Sequence, residues 1–199
     1  MIASLKRYPK AVEGDLLLRP MNASDEGALI AFFKRIPVEE RQLFREDVTR
    51  APVIQGWIRN LDYGRLLPIL AFQGSRIVAD ATLHRDQGGW ARHLGKIRVT
   101  LDPEFRRRGL ARLLIREFID LAKSLGLAVL QAEILDVQDH AALLFEDLDF
   151  QRVAILPQQA IDLLGRVHDL QVYSQAICMP ESLAPEATLS ESDADVGGG

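Results

Sequence analysis

The sequence predicts an α/β chain, one domain on a mixed, mostly antiparallel sheet of about six or seven strands. Three observations carry that prediction. Helix-periodic segments fill residues 24–61. Short strand-like runs separated by turn residues follow from residue 66 to residue 101. Residues 91–134 then read as strand, tight turn, helix and strand, a crossover that places two parallel strands in one sheet. The length of 199 residues suits one domain.

Residues 15–19 read as a first short strand, closed by Pro20. Ser24 caps a helix with Asp25 and Glu26 in its first turn and an apolar run to Phe33. Pro37 breaks that helix and opens the next, whose apolar side is Leu43 and Phe44. Pro52 opens a third, with Ile54, Trp57, Ile58 and Leu61 at helical spacing. The runs 66–72 and 76–83 flank Gln73-Gly74-Ser75, which is a hairpin pattern. After a turn at Gly88-Gly89, residues 90–101 read as a strand carrying Leu94, Ile97, Val99 and Leu101. The step from 94 to 97 breaks alternation beside Gly95, which points to a bulge.

Residues 110–125 form the clearest element. Leu110, Leu114, Phe118, Leu121, Ala122 and Leu125 fall on one helical face, and Gly126 is a good stop. A strand follows at 127–134, a short helix at 139–148, and closing strands at 150–156 and 167–177 around Gly165. Residues 1–14 are then an N-terminal extension and 15–179 the domain. Residues 180–199 hold five acids, no Lys or Arg and no aromatic, so they are expected to form a disordered tail.

Composition narrows the function. The net charge is −4, and because that tail's five acids exceed it, residues 1–179 are left at about +1, a nearly neutral balance that argues against nucleic acid as the main partner. No apolar run approaches the ~20 residues that cross a bilayer, so no membrane partner is expected. The first residues lack the apolar core of a signal peptide, and a cytoplasmic location is the expectation. Cys178 stands alone, and no Cys/His cluster has metal-ligand spacing, so neither a disulfide nor a metal is expected.

The chemistry concentrates between strand and helix, at Asp102-Pro-Glu-Phe-Arg-Arg-Arg-Gly-Leu-Ala111. A helix start presents free backbone N–H groups and a partial positive charge. Gly109 permits close approach, and Arg106, Arg107, Arg108 and Arg112 add positive potential. Four arginines at the positive end of a helix are a poor local choice without an anion, and the combination suits a pyrophosphate. A dinucleotide fingerprint needs two further glycines, although Glu133 is roughly placed for its acid. A P-loop is excluded, because no glycine-rich loop ends in Gly-Lys-Ser/Thr.

From Ile97 to Phe150 the chain resembles the GNAT superfamily of N-acetyltransferases. Arg106-Arg-Arg-Gly109-Leu-Ala111 resembles that family's Q/R-x-x-G-x-G/A motif, and it follows Val99-Thr-Leu-Asp-Pro103. The order of elements over residues 15–177 resembles that fold too. The resemblance implies acetyl-CoA as cosubstrate and a primary amine as acceptor, with direct attack and no covalent enzyme intermediate. It implies that the backbone amides of Arg107, Arg108, Gly109, Leu110, Ala111 and Arg112 hold the pyrophosphate. Val99, Thr100 and Leu101 would pair with the pantetheine, and a backbone N–H near Val99 would face the thioester oxygen. Where many members carry Asn and, seven residues on, a Tyr that protonates the leaving thiolate, this chain has Gln138 and Phe145. Gln138 can still bond CoA, whereas Phe145 has no proton to give.

A lysine-like amine titrates near 10.4 and must lose a proton before attack, so a base matters more than an acid for a thiol of pKa near 8.5. Glu133 is the leading candidate base, weighed against a plain surface glutamate on a strand. His84 and His93 are the alternates, weighed against structural histidines. His168-Asp169 is expected to fix the turn after Gly165. Glu39, Glu40, Glu46 and Asp47 place acids near an amine-binding surface, though such charge is usually a solvated helix face. The rival reading is an acyl-CoA-binding sensor that has lost catalysis, kept open by Phe145. Edge strands leave room for a homodimer, and the acceptor stays open among protein lysine, N-terminus, polyamine and aminoglycoside.

Overall fold

The leucines of residues 16–18 alternate between a more buried and a more exposed face, on one strand of an eight-stranded sheet. A computed structural model describes residue 5, residues 7–12 and residues 15–178. The described strands are β1 (Lys10–Val12), β2 (Leu16–Pro20), β3 (Leu66–Gln73), β4 (Arg76–Arg85), β5 (Leu94–Leu101), β6 (Val129–Leu135), β7 (Gln151–Ile161) and β8 (Val167–Ala176). The helices are α1 (Glu26–Arg35), α2 (Val38–Arg41), α3 (Ala51–Arg59), α4 (Leu110–Ser124) and α5 (Asp139–Glu146). The strands lie in the order β1-β2-β3-β4-β5-β6-β8-β7, and among them β5 and β6 pair in parallel. The α/β class and the crossover through α4 are as the periodicities predict.

Several details differ from the sequence reading. An eighth strand, β1, lies within the expected N-terminal extension and pairs with β2 through Lys10↔Leu18. Another difference is at β5, which starts at Leu94 rather than at 90, because Trp90 stands 90 % exposed in the preceding turn. The expected tail at 180–199 lies outside the described residues. A further difference is at Gly95, which makes no bulge, since β4 and β5 pair without interruption from Ala79↔Leu101 to Arg85↔Gly95. Gly95 occupies an inward position of ordinary alternation where a side chain has no room. A Cβ there would stand 2.8 Å from Leu83 Cδ1 and 2.9 Å from Leu130 Cδ2. The bulges lie elsewhere, on β4 at Val78, opposite Ala71 and Phe72 of β3, and on β7.

Each face of the sheet is covered for a different reason. Leu110, Leu114, Phe118 and Leu121 of α4 are buried against Ile97, Leu130, Ala132 and Ile134. The opposite face takes α1 and α3, where Phe32, Phe33 and Ile54 pack on Leu70, Phe72 and Ile77. Phe33 meets Phe32, Trp57 and Phe44 edge-on at 5.0, 5.6 and 5.7 Å, and the fully buried Phe32 and Phe33 each contribute roughly 1.5–3 kcal/mol.

Asp102 pins the end of β5. It is 1 % exposed, accepts from Arg35 Nε at 2.6 Å and Arg76 Nη2 at 2.8 Å, and its own N–H bonds Val78 O. Burial alone would raise its carboxyl, but the two guanidinium bonds hold it below the usual carboxylate range. The stability it supplies is therefore present above the ordinary carboxylate pKa and is lost as pH falls through the depressed value. Asp102→Ala is expected to lower stability by about 3 kcal/mol at pH 7, by removing one partner of a buried charge cluster. Denaturant titration at pH 7 checks this, and a loss below about 0.5 kcal/mol would contradict it.

Candidate active site

Two parallel strands part here and leave one backbone edge unpaired. β5 and β6 pair only through Leu94↔Val129, Gly95↔Leu130 and Lys96↔Gln131. Beyond that point β5 keeps its partner β4 and β6 keeps β8. Which backbone groups face the opening follows from two hydrogen bonds. Asp102 N–H donates to Val78 O on β4, while His93 O accepts from Ala128 N–H on the β6 side. Successive residues of a strand point their backbone groups to opposite edges. Val99 and Leu101 therefore turn N–H and C=O toward the opening, and Thr100 turns its own toward β4. That corrects one expectation: the Thr100 backbone is committed to the β4 ladder opposite Asp80.

The turn into α4 is shaped for an anion. Arg107 has φ +57° and Gly109 φ +80°, two left-handed residues flanking Arg108. Such a conformation turns successive N–H groups into one concavity. Gly109 is the N-cap of α4, no side chain caps the helix, and no acid lies in its first turn. The amides of Leu110, Ala111 and Arg112 thus begin a 15-residue helix with its positive end open. The four arginines divide. Arg106 forks onto Glu40 of α2 at 2.5 and 2.7 Å and also reaches Leu101 O. Arg112 bonds Asp147 Oδ2 at 2.9 Å. Arg108 lies over the Phe105 ring. Arg107 and Arg108 are the exposed pair without an ion pair among the described residues. So Arg106 ties α2 to the end of β5, a structural duty the motif alone does not reveal.

The face of the sheet away from α4 carries the titratable groups. Glu133 on β6 accepts from Lys96 Nζ at 2.7 Å and from Arg45, in the segment after α2. Burial alone would raise this carboxyl, but the Lys96 hydrogen bond and the charges of Arg45 and Arg98 hold it below the usual range. His84 bonds Thr82 Oγ1 at 3.2 Å. Burial, then the charges of Arg98 and Arg45, push its imidazole down to about 4. Asp80 on β4 lies opposite Thr100 on the same face. It is half-buried and makes no hydrogen bond or ion pair with any described residue. Burial pushes its carboxyl up to about 7.

A family model described as the acetyltransferase (GNAT) family matches residues 28–150. The chain belongs to the GNAT acetyltransferase family. Solved structures of GNAT acetyltransferases share its fold. A GNAT acetyltransferase from Streptococcus pneumoniae superposes with a TM-score of 0.69 at 20 % identity, over 81 % of this chain and 99 % of that one. YncA from Salmonella typhimurium, solved with its cofactor acetyl-CoA, gives 0.69 at 18 % identity, over 84 % and 97 %. The ribosomal-protein-S18-alanine N-acetyltransferase of Escherichia coli gives 0.66 at 20 % identity, over 83 % and 96 %. No curated protein matches by sequence. Membership implies acyl-CoA-dependent N-acetyltransferase activity.

In this GNAT chain the remaining expected residues fall as follows. Gln138 is the N-cap of α5, and its Oε1 accepts from Leu135 N–H at 2.9 Å, which closes the turn after β6. Phe145 is 6 % exposed and packs edge-on to Phe150 at 5.0 Å, so its ring belongs to the core and not to an open surface. His168 is buried between Asp136, at 3.0 Å from Nδ1, and Asp162, at 3.4 Å from Nε2. Asp162 also accepts from the N–H groups of Leu164 and Arg166, so this cluster organises the β7–β8 connection. Sequence reasoning passed over Asp80. Its signal is an acid inside the apolar stretch of residues 77–81, between Ala79 and Ala81. Among the described residues no cluster of three or more His, Cys, Asp or Glu is disposed to hold a metal, and no helix is long and apolar enough to cross a membrane.

Proposed function

We propose that this chain transfers an acetyl group from acetyl-CoA to a primary amine by direct attack. The observation that carries the proposal is the parting of β5 from β6 after Lys96↔Gln131, with Val99 and Leu101 turned into the opening and the nest of Arg107 to Gly109 at its end. The unpaired edge fits the amides of a pantetheine arm, and the amides of Arg107 to Arg112 fit a pyrophosphate. Acetyl-CoA supplies an activated acyl group. The amine nitrogen bonds to the carbonyl carbon, the C–S bond breaks, and the thiol leaves as thiolate. The Val99 N–H stabilises the charge that develops on the carbonyl oxygen. A thiolate of reference pKa near 8.5 leaves without a protein acid, so Phe145 is no obstacle.

The attacking nitrogen must first lose a proton. Glu133 serves poorly as the acceptor, because Arg45 and Lys96 engage its two oxygens and hold its basicity down. His84 serves poorly too, with an imidazole pushed down to about 4. Asp80 has the basicity that matches neutral pH and lies on the same face of the sheet, on β4 opposite Thr100, so it takes the proton, directly or through one water. Glu133 instead holds Arg45 and Lys96 across the mouth of the groove. Cys178 is exposed at the end of the domain and takes no part.

Following thiol release from acetyl-CoA across a panel of amines tests the reading. Amine-dependent release supports it. Binding of acetyl-CoA with no release for any amine would favour the sensor reading instead.

A further inference from the structure

The two edges of the sheet are finished differently. β1 closes one side with three residues that begin with Lys10, a short and charged edge of the kind that resists pairing. β7 closes the other with 11 residues, Gln151–Ile161, whose single charge is Arg152. Asp136 N–H donates to Asp169 O, so Asp169 turns its backbone toward β6 and Leu170 turns toward β7. Leu170 and Val172 stand opposite Leu156 and Ala154, which leaves the Ile155 N–H and C=O pointing off the sheet. The side chains agree with the backbone. Among the described residues, nine of the twelve exposed large apolar side chains lie between Val137 and Val167, so the open apolar surface gathers at this edge. Ile155 lies opposite Gln171 and Ile161 opposite Val167, which places them on the face that α5 covers. Ile155 is 50 % exposed and Ile161 70 %. Beside them a groove of about 300 Å³ opens between α5 and the sheet, lined by Leu143, Arg152 and Tyr173 among others.

A long, charge-poor edge flanked by aliphatic side chains is a template for another strand. We infer that a second copy of this chain covers it, β7 against β7 about a twofold axis. Antiparallel pairing of a strand with its own copy satisfies the same backbone groups on both sides, so one surface is its own complement. The apolar character favours a copy over a transient partner. Transient interfaces are no more apolar than the rest of a protein's surface, whereas homodimer interfaces are. Area agrees: the seven exposed apolar residues from Val153 to Val167 present on the order of 700 Å², against the ~800 Å² that each partner contributes to a stable interface. Pro157 has no N–H, and a bulge with Gln158 at φ +55° follows it. The shared ladder is therefore confined to the run before Pro157, and side chains carry most of the contact. The gap between β5 and β6 is separated from this edge by β8, so each copy keeps a complete site. The inference does not depend on the transferase reading.

The test is sedimentation equilibrium of the full chain over about 1–100 µM, where a dimer with a Kd of about 1 µM or tighter is expected, since interfaces of this size span µM to pM. Ile155→Asp and Ile161→Asp are each expected to weaken the dimer by about 100-fold or more, by setting a charge in an apolar contact. Both side chains are exposed in the single copy, so the variants are expected to fold and to bind acetyl-CoA as the parent does. Trp90→Asp removes an exposed apolar side chain from the turn before β5 and is expected to leave the dimer intact. Amide exchange of the unaltered chain asks the same question without a substitution. The Ile155 N–H is expected to be protected well above the Kd and open well below it. A monomer at the highest concentration overturns the inference and leaves the surface to a different partner. So does a dimer that survives both isoleucine variants, one that Trp90→Asp dissociates, or one lost on removal of residues 180–199. Equal exchange of the Ile155 N–H at all concentrations overturns it as well.

Discussion

Replacing Gly109 with glutamate is expected to abolish CoA binding in a chain that still folds. A Cβ at this position meets no atom within 4 Å, so the substitution causes no clash. The backbone is held at φ +80°, which costs a residue with a side chain about 1–2 kcal/mol. The added carboxylate stands at the open N-terminus of α4, where it can accept the same amides that a pyrophosphate needs. It also repels that pyrophosphate, and like-charge juxtaposition costs several kcal/mol, so affinity is expected to fall by about 10³-fold or more. Gly109→Ala, which carries the strain without the charge, is expected to lose about tenfold. Calorimetry with CoA, beside a thermal melt of each variant, checks both. Unchanged affinity in a folded Gly109→Glu variant contradicts the site.

Asp80→Asn is expected to lower kcat/KM by about 10²–10³-fold at pH 8 and to leave acetyl-CoA affinity as it was. The pH profile separates a proton acceptor from a merely structural acid. In the unaltered chain, activity falls below a midpoint near the Asp80 value of about 7, as the carboxyl takes up a proton. In the asparagine variant that limb disappears. Stability moves the opposite way. The folded pKa of Asp80 is raised above its ordinary value of 3.8, so the fold favours the protonated form. Its contribution is greatest below that ordinary value and is lost as pH rises through about 7. The asparagine variant is therefore expected to melt higher than the parent at pH 8 and close to it at pH 4. Glu133→Gln is expected to cost less than about tenfold and to keep the limb, since Glu133 acts through Arg45 and Lys96. An Asp80→Asn chain with full activity and an unmoved limb would contradict the assignment.

Both residues show what a sequence can and cannot announce. Gly109 is legible because three demands coincide at one position. An amphipathic run must start there, a strand has just ended, and arginines crowd the positive end of a helix without an anion to justify them. The crossover is legible for the same reason, since Leu110 to Leu125 follows a 3.6-residue period that no strand imitates. Asp80 is harder, because its significance is the absence of a partner, and partners come from other strands. Glu133 reads from sequence as a plausible base, yet Arg45 and Lys96, distant in the chain, decide its protonation. Arg106 reads as a phosphate ligand until Glu40 is seen to hold it. At Gly95 the broken pattern is real, but its cause is the crowding of Leu83, Leu127 and Leu130, not an inserted residue. Thr100 falls between two assigned neighbours, and only the alternation of backbone groups along β5 shows that it faces β4.

The most direct measurement is a crystal structure of the full chain grown in excess acetyl-CoA. The account predicts pyrophosphate oxygens on the amides between Arg107 and Arg112, and pantetheine bonded to the backbone of Val99 and Leu101. It also predicts the thioester at the mouth shared by Arg98, Glu133 and Asp80. Nucleotide density bound elsewhere, or protein side chains filling the gap between β5 and β6, would contradict it.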